Sequence, residues 1–469
     1  MVGSLFWKSV LALVYRCAGA AVTFAFGVSF ARMMSIQEYG ALVSLTTFGS
    51  IAAMIGGGGQ QLRVLLEIPS LVARKEYTAI GSILSQRVRV TFFGSIAMTA
   101  IGLILFVAAH GREGIFGSWE YSASLLLILP LALIEVQSSL ARALGSVNLA
   151  LLPKEVLWRL LVMLLGGALF VTYGHPVNAA DVLVIATVVL VLLIAVQQVH
   201  LRRLADGHQL FTIALRRSKE SIAEIFSASA PFWVTSTASM AFAAIDIVIV
   251  SVMVGPAAAG YYYAANRISL LLDFFLATFC VPAAPLIARL FEENQRREVV
   301  RVTSGAALVA FIAVLGCFVA LALAGNFALM AFGSAFVRAY GVLMILASGQ
   351  LAATYFGIGS IALNMTGHQR AAMNIIIIIS VLGIVAMVGA TWKFGIWGTA
   401  VVVASVNVAT KAWMAAHIYA AEGIDLTATT MLRTIIRHAI WPRTRTLHHD
   451  ALSLPTKQPS LAASRDRHM

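Results

Sequence analysis

One element recurs along the chain: an apolar run of about twenty residues, the length a helix needs to cross the hydrocarbon core of a bilayer. Twelve such runs are read, at about 9–31, 40–62, 90–109, 121–142, 156–174, 179–200, 227–254, 260–288, 302–324, 340–363, 371–391 and 396–420. The stretches 182–196 and 375–379 show none of the polar alternation that barrel strands require. The expected fold is therefore all-α and polytopic. Of the 469 residues 60% are hydrophobic and 11% charged, too few charges to keep that apolar surface in water. A soluble enzyme, a disordered scaffold and a secreted disulfide domain are excluded on this ground. Arg16 interrupts the first run and apolar sequence continues to Phe30, which predicts an uncleaved span rather than a signal peptide. Cys17, Cys280 and Cys317 all sit inside apolar runs without ligand spacing, so no metal site is expected.

The basic residues orient the chain. Alternating from the N-terminus, 26 of the 33 Lys and Arg fall in segments on one side, and only Arg32, Arg112, Arg338 and Lys393 on the other. Arg16, Arg267 and Lys411 lie within spans. The positive-inside bias then predicts that both termini are cytoplasmic and that the span count is even. The net charge of +13 thus reports on the membrane, not on nucleic acid. Residues 1–200 are expected to form one lobe and 227–420 a second. Between them runs a basic linker, 201–226, with Arg202, Arg203, Arg216 and Arg217. In the tail, 421–469, an amphipathic basic helix over 426–441 is expected on the anionic leaflet, ended by Pro442 and followed by disorder.

The lobes carry a trace of repetition. Ser35–Gly40 and Gly255–Gly260 close corresponding loops, and Gly40 superposes on Gly260 at an offset of 220 residues. Six spans per half relate the halves by an axis along the membrane normal, and two such bundles around a central cavity are the layout of a transporter.

A charge in the hydrocarbon is costly and needs a reason. At 1.5 Å per residue, Asp246 and Arg267 lie at matched depth on neighbouring spans, which predicts an ion pair. Arg16, Glu135, Asp273 and Lys411 fall together nearer the other face. Lining of an aqueous cavity is one explanation; the competing one is pairing between helices, or snorkelling. Gly56, Gly57, Gly58 and Gly59 end the second span and cannot sustain a stiff helix, and Pro282 and Pro285 are expected to break the eighth, as at a hinge or substrate path. Nothing indicates catalysis. There is no HExxH and no Walker sequence, and Gly357-Ile358-Gly359-Ser360 with His368 is a poor match to an intramembrane serine protease. The outer loops are too short for the acidic site of a membrane glycosyltransferase or polymerase.

Three stretches carry a family resemblance. Ala31–Gly40 resembles the "aR-x-L-G-x-x-e-y-G" signature of bacterial polysaccharide flippases. Asp246 followed by Gly260-Tyr261-Tyr262-Tyr263-Ala264-Ala265-Asn266-Arg267, with Pro285 beyond, resembles their second-half block. Phe332–Phe336 and Leu363–Arg370 resemble "f-G-x-x-f" and "l-x-x-t-G-x-x-r". Ser35 and Ala258-Ala259 depart from the pattern. The resemblance is to the oligosaccharide flippases of the multidrug/oligosaccharidyl-lipid/polysaccharide (MOP) exporter superfamily. It implies two six-helix lobes, no cofactor, and transfer of a polyprenyl-pyrophosphate-linked oligosaccharide across the bacterial inner membrane for cell-surface polysaccharide such as O-antigen or exopolysaccharide. Other polysaccharide assembly proteins and membrane lipids are the implied partners. On this reading Arg16 and Arg267 meet the pyrophosphate. Asp246 and Asp273 pair with them in the empty cavity, or bind a coupling proton or sodium ion. Gln60, Asn364 and Asn407 are weaker candidates for sugar contacts. The alternatives are a drug/cation antiporter of the same superfamily and a non-transporting subunit of a polysaccharide synthase.

Overall fold

The computed structural model describes residues 2–74, 76–109, 115–204 and 222–433. The twelve expected runs fall mainly on helix, with breaks at 57–59, 126–127 and 356–358 dividing the second, fourth and tenth. The elements are α1 (Val2–Met33), α2 (Ile36–Gly56), α3 (Gln60–Ala73), α4 (Tyr77–Ala109), α5 (Trp119–Leu125), α6 (Ile128–Ala143), α7 (Val147–Leu151), α8 (Trp158–Tyr173), α9 (Ala179–Leu204), α10 (Ile222–Met253), α11 (Pro256–Glu292), α12 (Arg296–Met330), α13 (Tyr340–Tyr355), α14 (Gly359–Met365) and α15 (Gln369–Glu422). The chain is a multi-pass, all-α membrane protein. The fourth span is α5 with α6, and the fifth is α7 with α8. The 54 residues of α15 supply the last two spans, because Gly395 adopts φ 58°, ψ −142° and turns the chain back on itself. Thr391 and Thr399 then bond across the bend, 2.7 Å apart.

Three local expectations are corrected or sharpened. The glycine run does end α2, and Gly58 and Gly59 at φ 58° and 71° start the separate α3. In contrast, α11 continues unbroken through positions 282 and 285. A proline deletes one backbone bond and can bend a helix without ending it, since packed neighbours satisfy the freed carbonyl. The start of the tail does not lie on the membrane surface, because Ile424 and Leu426 are buried in the core of the second lobe. Tyr355 bonds Thr429 there at 2.9 Å. The rest of the expected tail helix, 434–441, lies outside the described residues.

Helices α1–α9 form one lobe and α10–α15 the other. Contact between them is uneven. Helix α2 packs along both α10 and α11, whereas α1 has no extended packing on either. Depth matters too. One continuous core joins Phe26, Phe30 and Tyr39 of the first lobe to Ile247, Tyr262, Phe332 and Phe336 of the second. Towards the face that holds the ends of α9 and α15, called here the basic face, each lobe has its own core. Val64, Ile68, Leu84 and Leu140 build the first, and Ile287, Ile358, Ile375 and Ile418 the second. The lobes share a core on one side of the membrane and have separate cores on the other, where α3 still packs on α10 and the Trp233 indole donates to the Ile55 carbonyl at 2.8 Å.

Candidate functional site: a charged cleft between the lobes

The side with the shared core is sealed by glycine and aromatic packing. Gly40 at the start of α2 meets the start of α11 backbone to backbone. A methyl group on Gly40 would overlap the Pro256 carbonyl, and one on Gly260 would stand 3.2 Å from the Ile36 oxygen and 3.3 Å from the Gly40 Cα. The two repeat-related glycines thus form a single crossing point. Tyr39 is fully buried and stacks edge-on against Tyr263 and Phe336, and Phe24 against Phe332. Arg32, at the end of α1, reaches across the lobes: its Nε donates to the Ala331 carbonyl at 2.6 Å and a terminal nitrogen to that of Met330 at 3.1 Å. These carbonyls end α12, where a cation is favoured by the helix dipole.

Beneath this seal a pocket of about 260 Å³ opens between α1, α11 and the segment leading into α8. Arg16, Thr23, Glu155 and Arg267 line it. Arg16 and Arg267, from opposite lobes and far apart in sequence, are brought to one pocket. Glu155 arrives by a local device. Residues Leu152–Leu157 form a π-helix, a widened turn common at functional sites, with Pro153 near its start. Gly19 lets α1 approach it, since a Cβ there would lie 2.9 Å from the Glu155 Cβ. Arg267 stacks on Tyr263, its guanidinium carbon 4.6 Å from the ring centroid, and its Nε is buried with no hydrogen-bond partner. A buried N–H without an acceptor is costly, and among the described residues this Nε has none while it borders a pocket lined by a second arginine.

The expected Asp246–Arg267 pair does not form. Asp246 accepts from the Tyr262 hydroxyl at 2.7 Å, from Asn266 Nδ2 at 3.2 Å and from the Ile247 amide at 2.9 Å. The reason is helix phase. Tyr262 and Asn266 are four residues apart and share the face towards α10, whereas Arg267 is turned about 100° further, over Tyr263. Asp246 borders a second pocket, of about 310 Å³, inside the second lobe. Asn266, Ser269 and Asp273 line one wall from α11, and Asn407 and Lys411 the facing wall from α15. Asn407 Nδ2 donates to Gln350 Oε1 at 2.8 Å. Asp273 likewise forms no ion pair with Arg16 or Arg267. Leu270 borders both pockets and forms the partition between them.

Three candidates lie elsewhere. Glu135 points into the first lobe and pairs with Lys154 at 2.7 Å. Gln60 is fully buried at the glycine break, bonded to the Gly58 carbonyl and to Arg87, which also pairs with Glu67 at 2.9 Å. Asn364 is exposed on α14, outside both pockets, and its carbonyl accepts from Gln369. Depth along a span was legible for these residues, but the direction of the side chain around it was not. Glu155 lies one residue before the expected fifth span, 156–174, beside Lys154, so hydropathy alone does not mark it as intramembrane. Only Pro153 hinted at the widened turn.

No protein-family model matches the chain, and no curated protein matches it in sequence. Solved structures do match in shape. An inward-facing multidrug resistance MATE family transporter of the MOP superfamily superposes with a TM-score of 0.66 at 15% identity, covering 92% of this chain and 99% of its own. The lipid II flippase MurJ, in an inward closed conformation, superposes with 0.67 at 13% identity, covering 92% of each chain. An outward-facing MATE transporter gives 0.57 at 18% identity, covering 88% of this chain and 96% of its own. The chain has the fold of MOP superfamily transporters.

Proposed function

We propose that the protein is a flippase that carries a polyprenyl-pyrophosphate-linked oligosaccharide across the bacterial inner membrane by alternating access, with the basic face and both termini cytoplasmic. The observation that carries this reading is the Arg16–Arg267 pocket, with an Arg267 Nε that has no hydrogen-bond partner among the described residues and a flank where α1 and α11 make little packing contact. Arginine suits a pyrophosphate, which offers several acceptor oxygens in fixed geometry. The loosely joined α1–α11 flank suits a prenyl chain that stays in lipid while its head enters the cleft. Closure on the opposite face and separate cores on the basic face describe the state that would load from the cytoplasm. At about 260 Å³ the pocket falls just below the roughly 300–1,000 Å³ of small-molecule sites, so the lobes must rock apart to admit a glycan. Among the neighbours, a lipid II flippase moves a lipid-linked substrate, which supports the substrate class.

Asp246 and Asp273 are assigned to a coupling proton or sodium ion in the second-lobe pocket. That acidic pocket also favours the rival reading, a cation antiporter like the MATE neighbours. The test is substitution. Arg16→Ala and Arg267→Ala should abolish uptake of a polyprenyl-pyrophosphate sugar into proteoliposomes while membrane abundance holds. Unchanged flipping at normal abundance removes the arginines from the role. Efflux of cationic dyes without sugar-lipid transfer would establish the rival.

A further inference from the structure

The glycine break after α2 turns a backbone carbonyl towards the other lobe. Gly58 and Gly59, at φ 58° and 71°, cannot continue the helix. The Ile55 carbonyl therefore lacks the partner four residues on that a helix would supply, and receives the Gly58 amide at a long 3.2 Å. The indole Nε1 of Trp233, on α10, donates to the same oxygen at 2.8 Å. A donor is favoured there, because the last carbonyls of a helix carry partial negative charge.

The acceptor is fixed to the first lobe. A Cβ on Gly56 would lie 2.9 Å from the Ser95 Cα, and one on Gly94 would overlap the Gly56 carbonyl, so the end of α2 is fitted backbone to backbone against α4. The Ile55 oxygen moves with the first lobe and the indole with the second. Their contact stands well away from the shared core. On α10 that core includes Ile247 and Val250, and Trp233 lies fourteen residues earlier, roughly 20 Å nearer the basic face. Helix α3, which starts at the break, packs on α10 beside it. Arg32 joins the lobes on the opposite face, so each face has a directed side-chain bond across the cleft.

We propose that the Trp233–Ile55 bond is a latch on the basic face, and that the cleft opens to that face when it releases. The latch rests on the alternating-access reading above. It gives the glycine break a role: a rigid helix end that presents an acceptor to the other lobe. One hydrogen bond suits a contact that must break in every cycle, since its net worth shifts a two-state population by only about twofold to tenfold.

The test uses the full chain in lipid nanodiscs, with its three cysteines changed to alanine. Spin labels go on Arg74→Cys and Gln295→Cys, both exposed on the basic face in opposite lobes. Trp233→Phe keeps an aromatic ring and removes the donor. It should raise the long-distance population about twofold to tenfold in double electron–electron resonance. Trp392→Phe, at an exposed indole on the opposite face, should leave the distribution unchanged. Thermal melting of Trp233→Phe should match the wild type, because the bond joins two lobes that have their own cores. A second variant reads the latch by closing it. A cleavable cross-link between Ile55→Cys and Trp233→Cys should halt transfer of a polyprenyl-pyrophosphate sugar into proteoliposomes, and reduction should restore it. A wild-type distance distribution in folded Trp233→Phe overturns the proposal, as does transfer that continues with the link in place. Absence of sugar-lipid transfer by the wild type counts against the substrate reading alone, and the label distances still decide the latch.

Discussion

The glycine crossing makes a quantitative prediction for Gly40→Ala. The added methyl would overlap the Pro256 carbonyl and stand 3.1 Å from the Gly260 nitrogen, so no side-chain rotation relieves it. Overpacking a fitted contact costs about 1–3 kcal/mol. At about 1.4 kcal/mol per factor of ten, the closed arrangement of the lobes becomes roughly 5- to 140-fold less favoured relative to one in which they separate. Spin labels at Thr172 and Arg338, both exposed on that face in opposite lobes, report the separation by double electron–electron resonance. The variant should shift their distance distribution to longer values. Gly316→Ala and Gly389→Ala, where a Cβ meets nothing within 4 Å, should leave it unchanged. A wild-type distribution in Gly40→Ala would refute the claim that this crossing holds the lobes shut.

Other expectations follow from the same geometry. Arg32→Gln removes the charged donors on the Met330 and Ala331 carbonyls and should shift the same label distance in the same direction, by less. Glu135→Gln breaks a part-exposed pair with Lys154, worth at most about 1 kcal/mol, so thermal stability should fall slightly and sugar-lipid transfer should persist; a transport-dead, folded variant would return Glu135 to the pathway. Asp425 is pushed up by burial, but bonds from Thr430 and Thr427 and the charge of Arg433 outweigh this and hold its carboxyl below the usual range. Its contribution is therefore full above the ordinary carboxylate pKa and is lost as pH falls through the depressed value. Hydrogen exchange over 428–433 should accelerate only on strong acidification, and Asp425→Asn should show that faster exchange already at neutral pH.

Sequence reading reached some residues and missed others for physical reasons. Arg16, Arg267, Asp246, Asp273, Asn407 and Lys411 stand out because lipid makes an ionised or polar group in a span conspicuous, and all six border the two pockets. Their partners were not visible. Asp246 and Arg267 match in depth yet sit on different faces, because one residue of helix turns a side chain through about 100°. Glu135 matches the depth of Arg16 and faces the wrong way. Glu155 depends on a π-helix that changes the phase of everything after it.

The sequence alone determines that this chain lies in a membrane, crosses it with helices, and spans it about twelve times, because hydrophobic length and charge asymmetry act segment by segment and need no tertiary context. It also marks Gly40 and Gly260 as related points. That those glycines touch each other, that the lobes share a core on one side only, and that the charges divide between two pockets were decided by packing. Contacts between helices far apart in the chain depend on rotation and crossing, and a linear pattern of hydropathy carries no record of either.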